Sequence, residues 1–345
     1  MELSDRKKQI LKAIIGDYIR TAEPVGSKAL TAGHDLPFSS ATIRNEMSEL
    51  EDLGYLEKPH TSAGRIPSPQ GYRLYVDELM ARPEELPDGD DLPLQKMMQL
   101  KVKELDRLIQ EAGRLISNLT DYASVAITPA MTQTAIRQFE IIAVDRMSFV
   151  IVVVTESGAV KNKMVRTMAE VTKDEAELLT YVLNQTLTGL PLSHITTERF
   201  DIVRRAAGLT ALLAPVAEYI AELIEELGNQ KVYLEGASKL LRFPEYRDPQ
   251  KALALLDYLD DDAHLLPVAR TFDGVQIFIG PENGANPMSE TSTIYAKYNI
   301  GTIGQGAIGI VGPTRMDYAA LSARLSRFAK GLNKLIAETF LDEKE

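Results

Sequence analysis

The sequence predicts an α+β chain of more than one domain, opened by a small helical unit that closes in a β-hairpin. Three observations carry this expectation. Helix-like and strand-like apolar periodicities alternate along the chain. Its 345 residues exceed what a single ordinary core organises. A stretch rich in proline, glycine and acid, Arg82-Pro83-Glu84-Glu85-Leu86-Pro87-Asp88-Gly89-Asp90-Asp91, separates the opening unit from the rest as a linker would.

In the opening unit Ser4 is a plausible N-cap, and Ile10, Leu11, Ile14, Tyr18 and Ile19 form an apolar stripe. Thr21-Ala22-Glu23-Pro24 breaks that helix. A second helix runs from about Ser27 to Ala32, with Gly33 as its stop. After the turn Leu36-Pro37-Phe38, Ser39 or Ser40 caps a third helix that reaches about Leu53 and ends at Gly54. Tyr55–Lys58 then reads as a strand, Pro59–Gly64 as a loop and Arg65-Ile66-Pro67 as the return. Three helices followed by a hairpin is the order of a winged helix-turn-helix, so residues 1–76 are expected to bind DNA and 77–92 to form the linker.

Composition bounds the rest. Hydrophobic residues make up 45% and charged residues 25%, as in a soluble globular protein. No apolar run approaches the ~20 residues of a membrane helix, and the start lacks a signal peptide's apolar region. With no cysteine, disulfides and thiol chemistry are excluded. The four histidines, His34, His60, His194 and His264, lack metal-ligand spacing. A cytoplasmic protein without metal or cofactor is expected, associated with the nucleoid when on DNA. The net charge of −11 is unevenly spread. Residues 1–76 hold 10 Lys/Arg and 10 Asp/Glu, and the remainder holds 28 and 39. An acidic body on a neutral head is compatible with DNA binding that leans on base contacts.

Beyond the linker, Leu94, Met98, Leu105, Leu108, Ala112, Leu115 and Leu119 step by fours and threes, with Lys101 at the one polar position. This seam suits either core packing or a dimer interface. Strands are expected at Gln138–Val144, Phe149–Thr155 and Ala159–Thr167, then helices at about 172–187 and 204–227. The last third returns to mixed structure, with strands at Lys231–Glu235, Leu265–Thr271, Val275–Gly280, Ser292–Tyr298 and Ala307–Val311 and a helix from about Tyr318 to Phe340.

The third helix holds the clearest chemistry. At ~100° per residue, Ile43, Met47 and Leu50 face inward while Ala41, Arg44, Asn45 and Ser48 fall on the other side. Arg forks onto guanine, Asn onto adenine, and small side chains let the backbone approach. Ser39, Ser40 and Thr42 stand at the same end, where hydroxyls and free N–H groups suit phosphate. Lys58, His60, Thr61, Ser62 and Arg65 furnish the hairpin loop with cations and hydroxyls. Gly304-Gln305-Gly306-Ala307-Ile308-Gly309 matches a dinucleotide fingerprint, but a β-like run follows it where a helix is needed, so a glycine-rich turn between strands is expected. Asp260-Asp261-Asp262 reads as a solvated helix end. Glu282, Asn283 and Arg315 follow strands and suit either turn roles or a ligand site on a sheet rim. No nucleophile–base or metal constellation suggests an enzyme.

Several longer runs carry a resemblance. Pro24-Val25-Gly26-Ser27, Ser40–Met47, Leu53-Gly54-Tyr55-Leu56 and His60-Thr61-Ser62-Ala63-Gly64-Arg65-Ile66-Pro67 closely resemble the heat-inducible transcription repressor HrcA family. Ile279-Gly280-Pro281-Glu282-Asn283 and Gly312-Pro313-Thr314-Arg315-Met316-Asp317-Tyr318 extend the likeness over nearly the whole chain. The resemblance implies a winged helix, a GAF-like α/β domain over 93–137 and 229–345, and an inserted α+β dimerisation domain over 138–228. It implies repression of chaperone operons by a homodimer on double-stranded DNA, at the inverted-repeat operator CIRCE, with activity sustained by the GroEL chaperonin. An alternative keeps the DNA-binding head but makes the GAF-like part a small-molecule sensor.

Overall fold

The computed structural model describes residues 3–60, 63–81, 105–131, 133–156, 158–168, 170–208, 212–270, 274–284, 286–300 and 304–341. The expected linker from Arg82 on and the first part of the seam, Leu94, Met98 and Lys101, lie outside these.

Three helices open the chain: α1 (Asp5–Thr21), α2 (Ser27–Gly33) and α3 (Ser40–Asp52). Ser4 caps α1, its hydroxyl accepting from the Lys7 amide at 3.4 Å, and Ala22 ends the helix in the left-handed region at φ 56°. Ile10, Leu11, Ile14 and Ile15 are its buried face, while Tyr18 and Ile19 are half-buried. Gly33 was expected to stop α2. It is instead the last helical residue, and His34 caps the helix in an extended conformation. A two-residue ladder follows, β1 (Leu56–Glu57) with β2 (Ile66–Pro67), extended by a bridge between Val25 and Arg65. Ser68 caps α4 (Pro69–Met80), so residues 77–80 are helical and continue from the head.

A five-stranded antiparallel sheet of order β7-β3-β10-β9-β8 forms the body, from β3 (Ala123–Ile127), β7 (Val232–Glu235), β8 (Val275–Ile279), β9 (Thr291–Ile300) and β10 (Gly304–Pro313). One face is covered by α5 (Leu105–Thr120) and α11 (Tyr318–Ile336), the other by α9 (Pro249–Asp260) and short 3-10 segments around Leu240 and Tyr246. The sequence did not single out β3, a short run of small and β-branched residues.

The stretch 304–309 is not a turn. It is the start of β10, the middle strand, bonded to β3 on one side and β9 on the other. Its glycines make room for rings. Tyr298 pairs with Gly306, lies across it, and donates to the Ile127 carbonyl of β3 at 2.7 Å. A Cβ at Gly306 would stand 2.2 Å from that ring, and one at Gly309 2.4 Å from Tyr295. The two tyrosines are an odd number of residues apart, so they occupy opposite faces of the sheet. Tyr298 joins the α5/α11 core and Tyr295 the α9 core.

Between β3 and β7 the chain makes a long excursion. Its ends are tied where the Thr128 amide donates to the Lys231 carbonyl at 2.9 Å and the Lys231 amide to the Thr128 hydroxyl at 2.8 Å. The excursion holds a three-stranded antiparallel sheet, β4 (Ile136–Asp145), β5 (Ser148–Thr155) and β6 (Val160–Arg166), with α6 (Lys173–Leu187), α7 (Thr197–Ala207) and α8 (Leu213–Gly228). The single helix expected at about 204–227 is thus two, because α7 ends at Gly208, φ 78°. Asn184 of α6 closes the edge of β4: its side chain accepts from the Phe139 amide at 2.9 Å and donates to the Phe139 carbonyl at 2.8 Å. Lys161 and Lys163 of β6 reach Glu226 and Glu222 of α8.

Two further differences have a common cause. Leu265–Thr271 was expected as a strand, but α10 (Asp262–Arg270) occupies it, since a short apolar run does not distinguish strand from buried helix. In α5 the core face is Leu105, Leu108, Ile109, Ala112, Gly113, Ile116 and Ser117, whereas Leu115 is half-buried and Leu119 exposed. A true 3.6 period drifts from the 3.5 heptad, and contact with the sheet selects the drifted face. Residues 105–117 are therefore core, packed on β3 and β7. No helix among the described residues is long and apolar enough to cross a membrane.

Gly306→Ala should destabilise the body by at least ~1–3 kcal/mol, because the new methyl meets both the Tyr298 ring and the Ile127 carbonyl. A lowered midpoint in thermal unfolding checks this.

Candidate nucleic-acid interface

On α3, Ile43, Met47 and Leu50 are buried against the head's core, and Ala41, Arg44, Asn45 and Ser48 are exposed together on the other side. The helical period alone separates the two sets. Ser39 is the N-cap, its hydroxyl accepting from the Thr42 amide at 3.1 Å and lying 2.9 Å from the Thr42 hydroxyl. Ser40 is turned inward, donating to the Ser27 hydroxyl of α2 at 3.2 Å. Its role is to join the starts of two helices rather than to face solvent.

Glu46, which sequence reasoning passed over, is the residue that seats α3. It is 4% exposed on the inner face. Arg6 reaches it at 2.5 Å and Lys7 at 2.8 Å, and Lys7 also holds Glu49 at 2.7 Å. A buried carboxylate needs such partners to remain charged. The hydrogen bond from Lys7, with the charges of Lys7 and Arg6, holds the Glu46 carboxyl below its ordinary range despite desolvation. Only a glutamate placed between Ile43 and Leu50 on the apolar stripe hinted at this in the sequence.

At the hairpin, Lys58 and His60 are exposed. Thr61 and Ser62 lie outside the described residues. Arg65 is placed differently from expectation. Its guanidinium pairs with Glu51 at 2.6 Å and is 18% exposed, and its backbone bonds Val25 in both directions. It braces the hairpin against α3 and the segment before α2, with its charge already answered.

The three rim residues are likewise engaged within the chain. Glu282 accepts from Arg73 of α4 and from the Ile279 amide at 2.9 Å. Asn283 donates to the Gly280 and Thr291 carbonyls at 3.0 and 2.8 Å and accepts from Thr293 at 2.9 Å. Arg315 pairs with Glu245 at 2.5 Å, lies over the Phe243 ring, and touches the Ile19 carbonyl at the end of α1 at 3.5 Å. The cavity beside Glu282 and Asn283 measures about 70 Å³. That is room for about two waters and well short of the ~300 Å³ of a small-molecule site. These residues serve as turns and as bonds between head and body, where Tyr72 of α4 also meets Tyr318 of α11 edge to face.

A family model described as the HrcA protein C-terminal domain matches residues 106–321. A heat-inducible transcription repressor HrcA from Ruminiclostridium cellulolyticum is 37% identical over 97% of this chain and 98% of its own length. One from Desulforudis audaxviator is 37% identical over 99% of this chain and 100% of its own. A crystal structure described only as a hypothetical protein aligns with a TM-score of 0.69 at 23% identity, covering 98% of this chain and 100% of that one; the likeness is one of fold. The class is therefore that of DNA-binding transcription repressors, and not enzymes. Within that class the chain belongs to the HrcA family of heat-inducible transcription repressors.

Because folding lowers the Glu46 carboxyl's affinity for protons, its stabilising contribution is full above the ordinary glutamate range near 4.5 and is lost as pH falls through the lower folded value. Glu46→Gln should cost about 1–2 kcal/mol near neutrality, and the gap from wild type should narrow as pH falls below the ordinary glutamate range and close once it is below the lowered folded value. Unfolding curves taken across the acid range check both the size and the sign.

Proposed function

We propose that the chain represses heat-shock chaperone operons by binding the inverted-repeat operator CIRCE as a homodimer, kept active by a GroEL-type chaperonin. The observation that carries this is the α3 face: Ala41, Arg44, Asn45 and Ser48 stand exposed beside one another, and Arg44 has no ion pair with any described residue. In this reading residues 1–76 are a winged helix whose α3 enters the major groove, while Lys58, His60, Thr61 and Ser62 of the hairpin flank it. Ser39 and Thr42 meet the phosphates beside it. The GAF-like part spans 93–137 and 229–345, and 138–228 is the inserted dimerisation domain. The protein acts in the cytoplasm, at the nucleoid.

An inverted repeat calls for a two-fold pair of heads. The outward face of the three-stranded sheet suits the contact between copies. Across it run Ile142, Val144, Val150, Val152, Val154, Val160 and Met164, with Val160 59% and Met164 63% exposed. Gln138, Glu140 and Asn162 interrupt this face, yet so many exposed apolar side chains on one sheet face are unusual on a monomer. Dependence on a chaperonin suits a body in which β3 and β7 pair across an excursion of about a hundred residues and the middle strand β10 pairs β3 from still further along the chain, slow and non-local pairings.

A mobility shift on a CIRCE-bearing duplex, with and without chaperonin at fixed salt, tests the whole reading. Binding no tighter than to a scrambled duplex in both conditions rejects it. Arg44→Ala should weaken operator binding by ~1–3 kcal/mol and relax base preference. Val152→Lys should leave the head folded but shift the sedimenting species from dimer to monomer.

A further inference from the structure

DNA binding requires positive charge that the protein has not already answered, and in this head most of it is answered. Of its 10 Lys/Arg, Arg6 and Lys7 are held by Glu46, Lys8 by Glu78, Arg20 by Asp17, Arg65 by Glu51 and Arg73 by Glu282. Lys12, Lys28, Arg44 and Lys58 are exposed and form no ion pair with any described residue. Position separates these further. Lys12 lies one helical turn beyond Lys8, on the side of α1 that faces Glu78 of α4 and away from the Arg6/Lys7 contact with α3. Lys28 is exposed in the first turn of α2. It follows Ser27, whose hydroxyl receives the bond from Ser40 at 3.2 Å, so the first turn of α2 is pinned to the first turn of α3. Ser27 and Leu30 are the buried side of α2, and Lys28 projects to solvent beside the end of α3 that carries Ala41 and Arg44.

We infer that Lys28 is a backbone-phosphate anchor, setting α3 in register on the duplex by gripping a phosphate beside the groove that Arg44 enters. Its chemistry fits that task. An ammonium on a flexible four-carbon stem is a point charge that follows a phosphate without discriminating bases, whereas Arg44 has the planar fork that bases require. The inference rests on the operator reading above. It also explains how a neutral head on an acidic body binds DNA: a few unanswered cations, grouped around α3, supply the electrostatic part.

The test is the salt dependence of binding, measured by fluorescence anisotropy on full-length protein with operator and scrambled duplexes. Each phosphate contact contributes about 0.9 to the slope of log affinity against log salt. Lys28→Ala should lower the slope by about 0.9 per head, nearly two for a dimer on both half-sites, and leave the preference among altered operators unchanged. Lys28→Arg should restore the slope, and Lys12→Ala should leave it at the wild-type value. A slope unchanged in Lys28→Ala overturns the inference, and so does a loss of base preference in that variant. Thermal melting of Lys28→Ala at the wild-type temperature verifies its fold, and Lys28→Gln repeats the measurement if alanine perturbs it. Should wild type itself fail to prefer the operator, the operator reading fails. Should wild type prefer it while Lys28→Ala keeps the full slope, only the anchor fails.

Discussion

The packing of two tyrosine rings over a glycine-bearing strand is the contact on which the body depends. β10 is hydrogen-bonded on both sides, and from Gly306 to Pro313 it is buried on both faces. Gly306 and Gly309 leave out the side chains that would keep β9's tyrosines upright. Tyr298 then bridges β9 to β3 across the middle strand, and Tyr295 fills the opposite core. A hydroxyl that deep must find an acceptor, and the Ile127 carbonyl supplies it. Ile127 is also the last residue of β3, where the long excursion departs, and it pairs with Val232 at the return. One ring thus secures both the sheet and the neck of the inserted segment.

The head depends on a smaller version of the same principle. α3 can present one face to solvent in a defined way only if its other face is held in a fixed orientation. Ile43, Met47 and Leu50 supply burial, which is strong but non-directional. Glu46, gripped by Arg6 and Lys7, adds direction. The arrangement also removes two cations from the charge available to DNA. Arg65 and Arg73 are withdrawn in the same way, one bracing the hairpin and the other joining α4 to the body. The head's neutrality in composition becomes, in three dimensions, a few local positive points on a largely self-compensated surface.

The division between what was readable and what was not follows the range of the interactions. The exposed set on α3 was legible because helical period is local: each residue's side follows from its neighbours' spacing. The caps at Ser4 and Ser39 were legible for the same reason. The roles of Ser40, Arg65, Glu282, Asn283 and Arg315 were not, because each is decided by a partner that only folding brings near. A polar residue after a strand looks the same whether it awaits a ligand or is already bonded to the chain.

By itself, then, the sequence determined the order of helices and strands in the head, the face of α3 that meets solvent, the three-stranded unit in the middle of the chain, and the family. It did so through periodicity, capping residues and long motif runs, all of which are written along the chain. The tertiary structure alone decided that 304–309 is a middle strand, that 262–270 is a helix, and that the α5 face drifts away from the heptad. It alone decided which cations of the head remain unanswered. Those outcomes turn on ring packing, sheet contact and ion pairing between residues far apart in sequence, whose energies exist only once the chain has closed on itself.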